Sequence, residues 1–446
     1  MRRPLSKTPS PLHLNSAACL VLAVLAATAL VGTPAAHAQN YSVIHSFANG
    51  YGGAWPWSPI TLGAGSHIYG TTFHGGNRGQ EACQVDPEEQ GCGIVYDLYQ
   101  RSGQWTFDTL FAFQFQDGAY PHQGVTFGPD GALYGAAGFG GQNAPPNCSL
   151  DGCGTVYKLQ PNPTRPTTAL YSWLFTPVYD FVGTDYDGEN PTSSLVRDAA
   201  GNLYGGNSGG ADNCGVVYQF SRSGTSWTFT DIYNGFTCLE GTYSIAPGGF
   251  VFDSAGNLYG TTFYGGTLTS CTAAQGCGAV FKLTNTGSGW VETTLHEFIL
   301  PTDGAFPGGL AIDAAGNIYG GTESGGAGNG GTVWELSPSD GGWTFNVLYS
   351  FTHSTNFAGP VGRLAIDSSG SLYGVTQSEG SFGMGNLFKL TPSNGSWTYT
   401  DLHDFAGGND GDGPLQGVTL DANGNIFGTT SFGGVGNYGT VWEMTP

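Results

Sequence analysis

An aromatic residue followed by glycine recurs along nearly the whole chain, each time just after a turn. Successive copies are 54 to 70 residues apart. Repeats of this size are single supersecondary units that bury their apolar faces only against their neighbours. The fold must therefore hold seven similar units side by side. The seven copies are Tyr69-Gly70, Tyr134-Gly135, Tyr204-Gly205, Tyr259-Gly260, Tyr319-Gly320, Tyr373-Gly374 and Phe427-Gly428.

The copy that spans 309–351 shows what one unit contains. Its short alternating segments are rich in β-forming residues, and Gly316 and Asn317 tolerate the positive φ of a hairpin turn between the first two. The segments are 309–313, 318–322, 332–336 and 343–351. Four short antiparallel strands that repeat around an axis form a blade of a β-propeller. We therefore predict an all-β fold, a seven-bladed β-propeller with four-stranded antiparallel blades in one domain, 39–446.

The two ends of this domain predict how the ring closes. Residues 41–47 match the fourth strand of a unit, as in 347–351. Residues 439–444 match the third strand, so the last unit lacks its fourth strand. We expect the N-terminal strand to complete the last blade, which leaves no open seam in the ring.

Residues 1–38 have the pattern of a cleaved signal peptide. Their apolar run, 17–31, carries no charge and is too short for a comfortable transmembrane span. The flanking residues are Arg2, Arg3 and Lys7 before the run and Ala36 and Ala38 after it. We predict cleavage before Gln39 after Sec or twin-arginine export, and a secreted protein, extracellular or periplasmic, without a transmembrane segment.

The charge balance excludes one large class of partner. The chain has 12 Lys+Arg against 33 Asp+Glu, and its formal net charge is −21. Nucleic-acid binding needs clustered Lys and Arg for the phosphates, so we expect no nucleic-acid partner. Aromatic residues make up 13% of the chain, which suffices for a substantial core and excludes intrinsic disorder.

Eight cysteines follow the predicted cleavage position, and an even number in an exported chain indicates disulfides. Six of them lie in three close pairs, which leaves Cys214 and Cys238 for each other. The close pairs are Cys83 with Cys92, Cys148 with Cys153, and Cys271 with Cys277. Zinc binding is the alternative, but the spacings are uneven and the loops lack suitable histidines.

The repeat resembles the GloVer (Gloeo/Verruco) tandem repeat of secreted bacterial proteins, called choice-of-anchor because members end in different surface-sorting tails. The best copy is Asn-Leu-Tyr-Gly-Thr-Thr-x-x-Gly-Gly at 257–266, with Ala-Val-Phe-Lys-Leu at 279–283. The run Asp-Gly-x-x-Pro also matches that repeat, at 117–121, 187–191 and 303–307. The resemblance covers the whole predicted domain and implies no established activity. Because the sequence stops at Pro446, directly after the last strand, we expect free secretion.

Histidine is the first candidate for chemistry. His45, His296 and His403 occupy a slot in the fourth strand where flat rings recur, so we expect them to pack as rings. The other occupants are Phe111, Tyr171, Tyr233 and Tyr349. His74 and His122 lie in loops and are freer. No nucleophile-elbow motif is present, so no catalytic triad is predicted and no catalytic residue is assigned.

Carboxylates form two sets in the repeat, and both are placed to cap turns. One set ends the first strand of a unit: Asp253, Asp313, Asp367 and Asp421. The other precedes or neighbours glycine in loops before the first strand: Asp117, Asp187, Asp303 and Asp412. The alternative for the second set is calcium, which prefers clustered oxygens. The acids at 185–187 and at 410–412 form two such clusters, although neither completes an EF-hand loop. The calcium candidates are Asp185, Asp187, Asp410 and Asp412.

Aromatic side chains in loops are the third candidate. Just before the Gly-Gly of the loop between the second and third strands, an aromatic or imidazole ring stands in units 1, 2, 4 and 7. Those of units 7, 1 and 2 are neighbours in a closed ring. Such a one-sided surface on rigid loops suits stacking against a flat apolar ligand face, such as a sugar ring. The alternative is that these rings pack against neighbouring blades and plug the channel. The predicted ligand-binding set is Trp55, Trp57, Phe73, His74, Phe139 and Phe432.

We therefore expect a secreted binding or interaction module, monomeric and without a cofactor, whose ligand is a glycan or another surface polymer. The first alternative is a polysaccharide-degrading enzyme, a lyase or a hydrolase, that uses loop acids with His74 or His122. The second is a structural envelope protein. An enzyme would bring acids with perturbed pKa values together in one pocket. A binding module would expose an aromatic patch without them.

Overall fold

Seven antiparallel sheets contain nearly all the regular structure in the part of the chain that our computed structural model describes. The structure describes residues 39–446 except 77–82, 84–90, 143–147, 149–151, 164–172, 211–213, 225, 237–246, 267–270, 272–275, 353–357 and 361. The predicted signal peptide, 1–38, lies outside the described residues. None of the described residues belongs to a helix long and apolar enough to cross a bilayer.

Each sheet is one blade, with strands a to d running in order from the axis outwards. Blade 1 contains β2 (Thr61–Leu62), β3 (His67–Thr72), β4 (Ile94–Arg101) and β5 (Gln104–Ala112). Blade 2 contains β6 (Thr126–Phe127), β7 (Leu133–Ala137), β8 (Thr155–Pro161) and β9 (Trp173–Asp180). Blade 3 contains β10 (Glu189–Pro191), β11 (Val196–Arg197), β12 (Leu203–Ser208), β13 (Val216–Ser223) and β14 (Ser226–Tyr233).

The remaining blades follow the same order. Blade 4 contains β15 (Pro247–Phe252), β16 (Leu258–Thr262), β17 (Ala279–Asn285) and β18 (Trp290–Glu297). Blade 5 contains β19 (Ala305–Ile312), β20 (Ile318–Ser324), β21 (Thr332–Ser339) and β22 (Gly342–Ser350). Blade 6 contains β23 (Ala365–Ile366), β24 (Leu372–Thr376), β25 (Asn386–Ser393) and β26 (Ser396–Asp404). Blade 7 contains β27 (Thr419–Leu420), β28 (Ile426–Thr430), β29 (Thr440–Thr445) and β1 (Asn40–Ser46).

The seven-bladed propeller predicted from the repeat is therefore confirmed. In blade 3, β10 and β11 both pair with β12, so they are two halves of one strand a. Single-turn 3₁₀ helices occur in three described loops that lead into strand a: Gly50–Gly52, Phe115–Asp117 and Gly408–Asp410.

The predicted ring closure is also confirmed. Strand β1 pairs with β29, so the N-terminal strand is strand d of blade 7. Directly after β1, the Phe47 backbone N–H donates to the Gly439 carbonyl at 3.0 Å. The Phe47 side chain is fully buried and packs on Tyr96 and Phe107 of blade 1. The closing strand thus joins the first and last blades by both hydrogen bonds and core packing.

The glycine of each aromatic-Gly pair is required by a close approach. A Cβ at Gly70 would overlap the ring of Tyr96, which lies across it from strand c. The same overlap recurs in every blade, so the bulky strand-c ring excludes any side chain from this position. The strand-c rings are Tyr96, Tyr157, Tyr218, Phe281, Trp334, Phe388 and Trp442, and all are fully buried.

The aromatic member of the pair links strand a to the next blade. Tyr259, for example, donates from its hydroxyl to Asp253 at 3.0 Å and packs edge-on against Trp343 of blade 5. Asp253 also accepts N–H groups of the a–b hairpin, as predicted for this set of carboxylates. The same capping is confirmed at Asp313, Asp367 and Asp421.

One feature of these buried rings leads to a stability prediction. The Tyr157 hydroxyl is buried without a hydrogen-bond partner among the described residues, whereas blades 4 and 6 have phenylalanine at this position. A buried unsatisfied hydroxyl costs about 1–3 kcal/mol. We expect Tyr157→Phe to raise the free energy of unfolding by about 1 kcal/mol in chemical denaturation. As the matched control, Tyr134→Phe should lower it, because the Tyr134 hydroxyl donates to Asp130 at 3.0 Å.

The closing strand leads to a second prediction. Phe47→Ala should lower the free energy of unfolding by about 3–5 kcal/mol, since it leaves a cavity at the blade 7–blade 1 junction. Ser42→Ala, on the exposed side of β1, should change it little. Removal of 39–47 should lower the melting temperature further, and an unchanged melting temperature would show that β1 is dispensable for closure.

Candidate functional site

The long loops of the propeller lie on one face, which is formed by the b–c and d–a connections. The predicted disulfides Cys83–Cys92, Cys148–Cys153 and Cys271–Cys277 are present in b–c loops, with Cα atoms 5.2 to 5.4 Å apart. Cys214 is also disulfide-bonded, and its predicted partner, Cys238, lies outside the described residues. These bridges shorten the freely moving length of the loops and so reduce the entropy lost on folding.

Exposed apolar side chains are concentrated on this long-loop face. Among the described residues, three of the strongly exposed large apolar side chains lie on the outer d strands: Leu174, Val291 and Val347. The others lie in b–c or d–a loops: Tyr51, Tyr186, Ile299, Phe382, Phe432 and Val435. Apolar exposure concentrated on one face is typical of an interaction surface.

All six residues of the predicted ligand-binding set lie in one continuous cluster. In its first half, the Trp55 and Trp57 rings are parallel within 10°, with centroids 5.5 Å apart. The Trp55 ring meets His74 edge-on at 5.0 Å and Phe432 of blade 7 at 6.2 Å. Phe73 continues the cluster from Trp57, at 4.6 Å between ring centroids.

The second half of the cluster adds two rings outside the predicted set. Phe73 stacks on Tyr120 at 4.8 Å, and Tyr120 meets Phe139 edge-on at 5.8 Å. His122 lies 6.0 Å from Phe73. We call the eight rings together the aromatic cluster. Blades 7, 1 and 2 supply them, the sector in which the sequence places the predicted set.

The aromatic cluster is part packed and part exposed. His74 and Tyr120 are buried, at 2% and 8% exposure, and support the other rings. Trp55, Trp57, Phe73 and Phe139 are half-buried, and Phe432 is 39% exposed. The resulting surface consists of the faces and edges of half-buried rings that pack on the buried rings of His74 and Tyr120.

An unusual backbone conformation positions Trp55 and Tyr120. Each precedes a proline at the start of strand a and has a positive φ, 57° and 56°. Bulky residues rarely adopt this left-handed region, which costs about 1–2 kcal/mol relative to glycine. At the same repeat position blade 3 has Asn190 and blade 7 has Gly413, residues that tolerate it. Blades 1, 2 and 5 thus retain large rings where the backbone favours small residues, since blade 5 has Phe306 there with a φ of 62°. Such strain is typical of functional sites.

Backbone hydrogen bonds tie this left-handed residue to the b–c loop of the preceding blade. The Tyr120 N–H donates to the Cys92 carbonyl at 2.9 Å, and the Asn190 N–H donates to Cys153 at 2.9 Å. In blade 1, Trp55 donates instead to Tyr438, at 2.9 Å. The disulfide-bonded Cys92 thus helps to position the Tyr120 ring on the next blade, whereas Trp55 is held by a loop without cysteine.

The sequence reasoning missed Tyr120, although a signal was present. Tyr120 is the aromatic residue of Asp-Gly-x-x-Pro at 117–121, the position that Trp55 occupies before Pro56. His122, two residues later, has a fixed tautomer. Its Nδ1 lies 3.0 Å from the Tyr120 carbonyl, which can only accept, so Nδ1 carries the proton and Nε2 is left as an acceptor. Burial lowers the pKa of His122 below its usual range.

A cavity of about 410 Å³ follows the propeller axis, and strand-a segments of all seven blades line it. Thr192 and Leu415 line it from blades 3 and 7, and they follow the Pro of their blades directly, as Trp57 and His122 do. Phe263, the counterpart of Phe73 in blade 4, lines it too. By repeat equivalence, the aromatic cluster lies at the level of one end of this cavity.

The strand-d histidines have the packing role that the sequence predicts. His45 stacks on Phe107 with ring planes within 3°, and His296 stacks on Phe345 within 5°. His403 stacks on Tyr41. One assignment to this slot was wrong: blade 2 places Tyr179 there, paired with Val156, whereas Tyr171 lies outside the described residues. The misassignment arises because the long c–d connection of blade 2 shifts the apparent start of strand d.

The second set of carboxylates caps turns, as predicted, with one correction. Asp187 accepts from the Val182 and Thr184 N–H groups at 2.9 and 2.8 Å. Asp303 accepts from the Ile299 N–H and pairs with His296 at 2.9 Å. In blade 7 the equivalent residue is Asp410, which accepts from the Ala406 N–H and pairs with His403 at 3.2 Å. Asp412 was wrongly placed in this set, because an extra Asp-Gly follows Asp410.

The calcium candidates Asp185, Asp187, Asp410 and Asp412 do not form a complete ligand set in this structure. No group of three or more His, Cys, Asp or Glu side chains among the described residues is arranged to hold a metal ion. The oxygens of Asp187 and Asp410 already accept protein hydrogen bonds. Calcium at these positions stays a prediction of the sequence.

The loop and strand acids with raised pKa values are dispersed over the ring. Burial raises the pKa of Glu323 in blade 5 to about 7 and that of Asp231 in blade 3 to about 6. Burial also raises the pKa of Asp412 in blade 7, which pairs through its backbone with Phe432. A two-carboxylate hydrolase mechanism needs its acids within about 10 Å of each other, and these three residues stand on three different blades.

Comparison with known families identifies the repeat. A family model described as the Gloeobacter/Verrucomicrobia repeat matches residues 82–272 and 267–446. The chain belongs to the Gloeobacter/Verrucomicrobia repeat family. The resemblance of the sequence to the GloVer repeat is thereby confirmed. No curated protein matches the chain.

Several solved structures are similar to this one, and the proteins differ in their described activities. A Bacteroides fragilis protein proposed to be a 6-phosphogluconolactonase is 13% identical, with 83% of this chain and 95% of that one covered and a TM-score of 0.49. A gluconolactonase from Xanthomonas campestris is 13% identical, with 65% and 78% covered and a TM-score of 0.38. A Dyadobacter fermentans protein of unknown function is 10% identical, with 92% and 98% covered and a TM-score of 0.44. Likenesses this distant do not bear on the activity of this chain.

The strand-d slot leads to a prediction about pH. Burial lowers the pKa of His45 to about 4, so the folded protein holds this ring neutral while the unfolded chain titrates near the ordinary value of 6.5. Its contribution to stability is therefore complete above pH 6.5 and is lost as pH falls towards 4. We expect His45→Phe, which copies Phe111, to remove this loss, up to about 1.4 kcal/mol per pH unit. Denaturation curves of both proteins at pH 7, 5.5 and 4.5 should diverge, and parallel curves would contradict the assignment.

Proposed function

We propose that the chain is a secreted binding module that holds a glycan against the aromatic cluster. The single observation that carries this proposal is the pair Trp55 and Tyr120, large rings kept in a left-handed backbone conformation. Blades 3 and 7 have Asn190 and Gly413 there, so folding alone does not require a ring, and the third ring at this position, Phe306, stands apart in blade 5. The backbone strain is explained if these two rings bind a ligand.

A carbohydrate fits the aromatic cluster better than other ligand classes do. Exposed aromatic faces stack on flat apolar surfaces, and a sugar ring offers such a surface together with hydroxyl groups. The half-buried His122, with Nε2 as an acceptor, adds a polar contact beside the rings. The net charge of −21 opposes strongly anionic polymers at this face, which favours a neutral glycan.

A binding role also fits the arrangement of the acids better than the enzyme alternative does. The two acids beside the aromatic cluster whose pKa burial raises, Asp117 and Asp412, stand on blades 2 and 7, with blade 1 between them. Two acids on either side of a bond are the minimum for most glycoside hydrolases. Export is part of the proposal, and the three disulfides are the bonds of an oxidising compartment.

The proposal is tested by incubating the protein, residues 39–446, with insoluble and soluble polysaccharides. Protein depletion and newly released reducing ends are measured, with calcium and with EDTA. Depletion on a neutral glycan without released ends supports the binding module, and loss of depletion in EDTA would bring the calcium candidates into the site. Released ends would establish the enzyme alternative instead. If neither depletion nor released ends are observed, the glycan proposal is overturned and a structural role is favoured.

The aromatic cluster is tested by Trp55→Asn, which installs the residue that blade 3 uses at this position. We expect at least tenfold weaker retention on the bound glycan, with the cooperative unfolding transition kept, because the substitution relieves backbone strain as it removes the ring. Phe306→Asn is the matched control, since Phe306 has the same positive φ but stands in blade 5. Equal retention of Trp55→Asn and the unaltered protein would remove the aromatic cluster from the site.

A further inference from the structure

The axial cavity contains a single charged side chain. Its described lining is made of apolar, glycine, hydroxyl and amide groups apart from Arg363, and it includes no Asp, Glu, His or Lys. Arg363 is exposed, and it is one of the residues that line this cavity. The guanidinium is therefore reachable by a small molecule yet enclosed by the ring of blades.

The repeat itself shows that Arg363 is not required by the fold. The residues at the repeat position of Arg363 are Pro59, Gly124, Ser194, Gly249, Gly309, Arg363 itself and Gly417 in blades 1 to 7. Six blades thus use a small or neutral residue here. The inner strands also approach closely at this level, since a Cβ at Gly309 would lie 2.8 Å from the Arg363 Cα. A long cationic side chain is an exception in a crowded ring of small residues.

Among the described residues, Arg363 has no carboxylate partner, although the ring of blades surrounds it. Lys158 and Arg222 both pair with Asp130, at 2.9 and 3.3 Å. No ion pair of Arg363 is present among the described residues, and burial lowers the pKa of its guanidinium. An enclosed cation without a counter-charge is costly. An anion in the cavity would remove this cost.

We propose that the axial cavity is a second binding site, for a small hydroxylated monocarboxylate held by Arg363. The planar guanidinium matches a carboxylate with two parallel hydrogen bonds. One cation balances one negative charge, and the strongly acidic protein disfavours a dianion such as phosphate. Gln123, Ser194 and Gln416 on the same lining offer partners for hydroxyl groups. A cavity of about 410 Å³ is within the range of small-molecule sites.

Calorimetric titration with D-galacturonate, D-galactose and inorganic phosphate tests this site. We expect galacturonate to bind at least tenfold more tightly than galactose or phosphate, and more weakly at high salt. Arg363→Gln should weaken galacturonate binding at least tenfold. Arg197→Gln is the matched control, because it removes the same charge from an exposed position on β11 and should leave binding unchanged.

Two further measurements keep the result decisive. Galacturonate should raise the melting temperature of the unaltered protein more than galactose does, a readout that needs no variant. Trp55→Asn should bind galacturonate normally, which separates this site from the aromatic cluster. Equal binding of galacturonate and galactose, tighter binding of phosphate, or full binding by Arg363→Gln would each overturn the proposal.

Discussion

The contact on which the whole ring depends is that of a strand-c ring with the glycine of strand b. Tyr96 over Gly70, and its six counterparts, bring the two central strands of each blade together around a fully buried aromatic group. The neighbouring tyrosine of strand b then reaches the tryptophan of the following blade, as Tyr259 reaches Trp343. Packing inside a blade and packing between blades are thus fixed by adjacent residues, so the sequence of each repeat determines how it packs against the next blade.

This rigid interior leaves one face free to vary. The a–b turns are short, and in blades 2 to 7 an aspartate such as Asp130 or Asp253 caps them, whereas the b–c loops differ in length and carry the three described disulfides. The second cysteine of a bridge ends its loop where strand c begins, and its carbonyl holds the left-handed residue of the next blade, as Cys92 holds Tyr120. The same framework thus presents a ring in one blade and asparagine or glycine in another without any change in the sheets.

The aromatic cluster and the axial cavity differ in the chemistry they offer. The cluster consists of half-buried ring faces with few charges, which suits stacking against a neutral sugar. The cavity consists of hydroxyl, amide and glycine surfaces around one cation, which suits a small carboxylate. Arg363 is exceptional within its set of seven equivalent positions, whereas Trp55 shares a large ring in the left-handed conformation with Tyr120 and Phe306. The internal repeat makes both patterns visible, because the other blades show what folding alone requires.

The sequence by itself determined the seven blades, the closing strand, the three local disulfides and the sector that holds Trp55, Trp57, Phe73, His74, Phe139 and Phe432. These follow from periodicity and from contacts between residues near in the chain. The register of segments with insertions was harder to predict from the sequence, as Tyr171 and Asp412 show. An insertion shifts the equivalent positions of a repeat along the chain without changing the kinds of residue that surround them. Only the tertiary structure decided that Tyr120 completes the aromatic cluster and that Arg363 faces the axis. Both depend on how strands from different blades converge, since the distance between residues of different blades is set by how the blades pack around the ring and is not encoded in any one repeat.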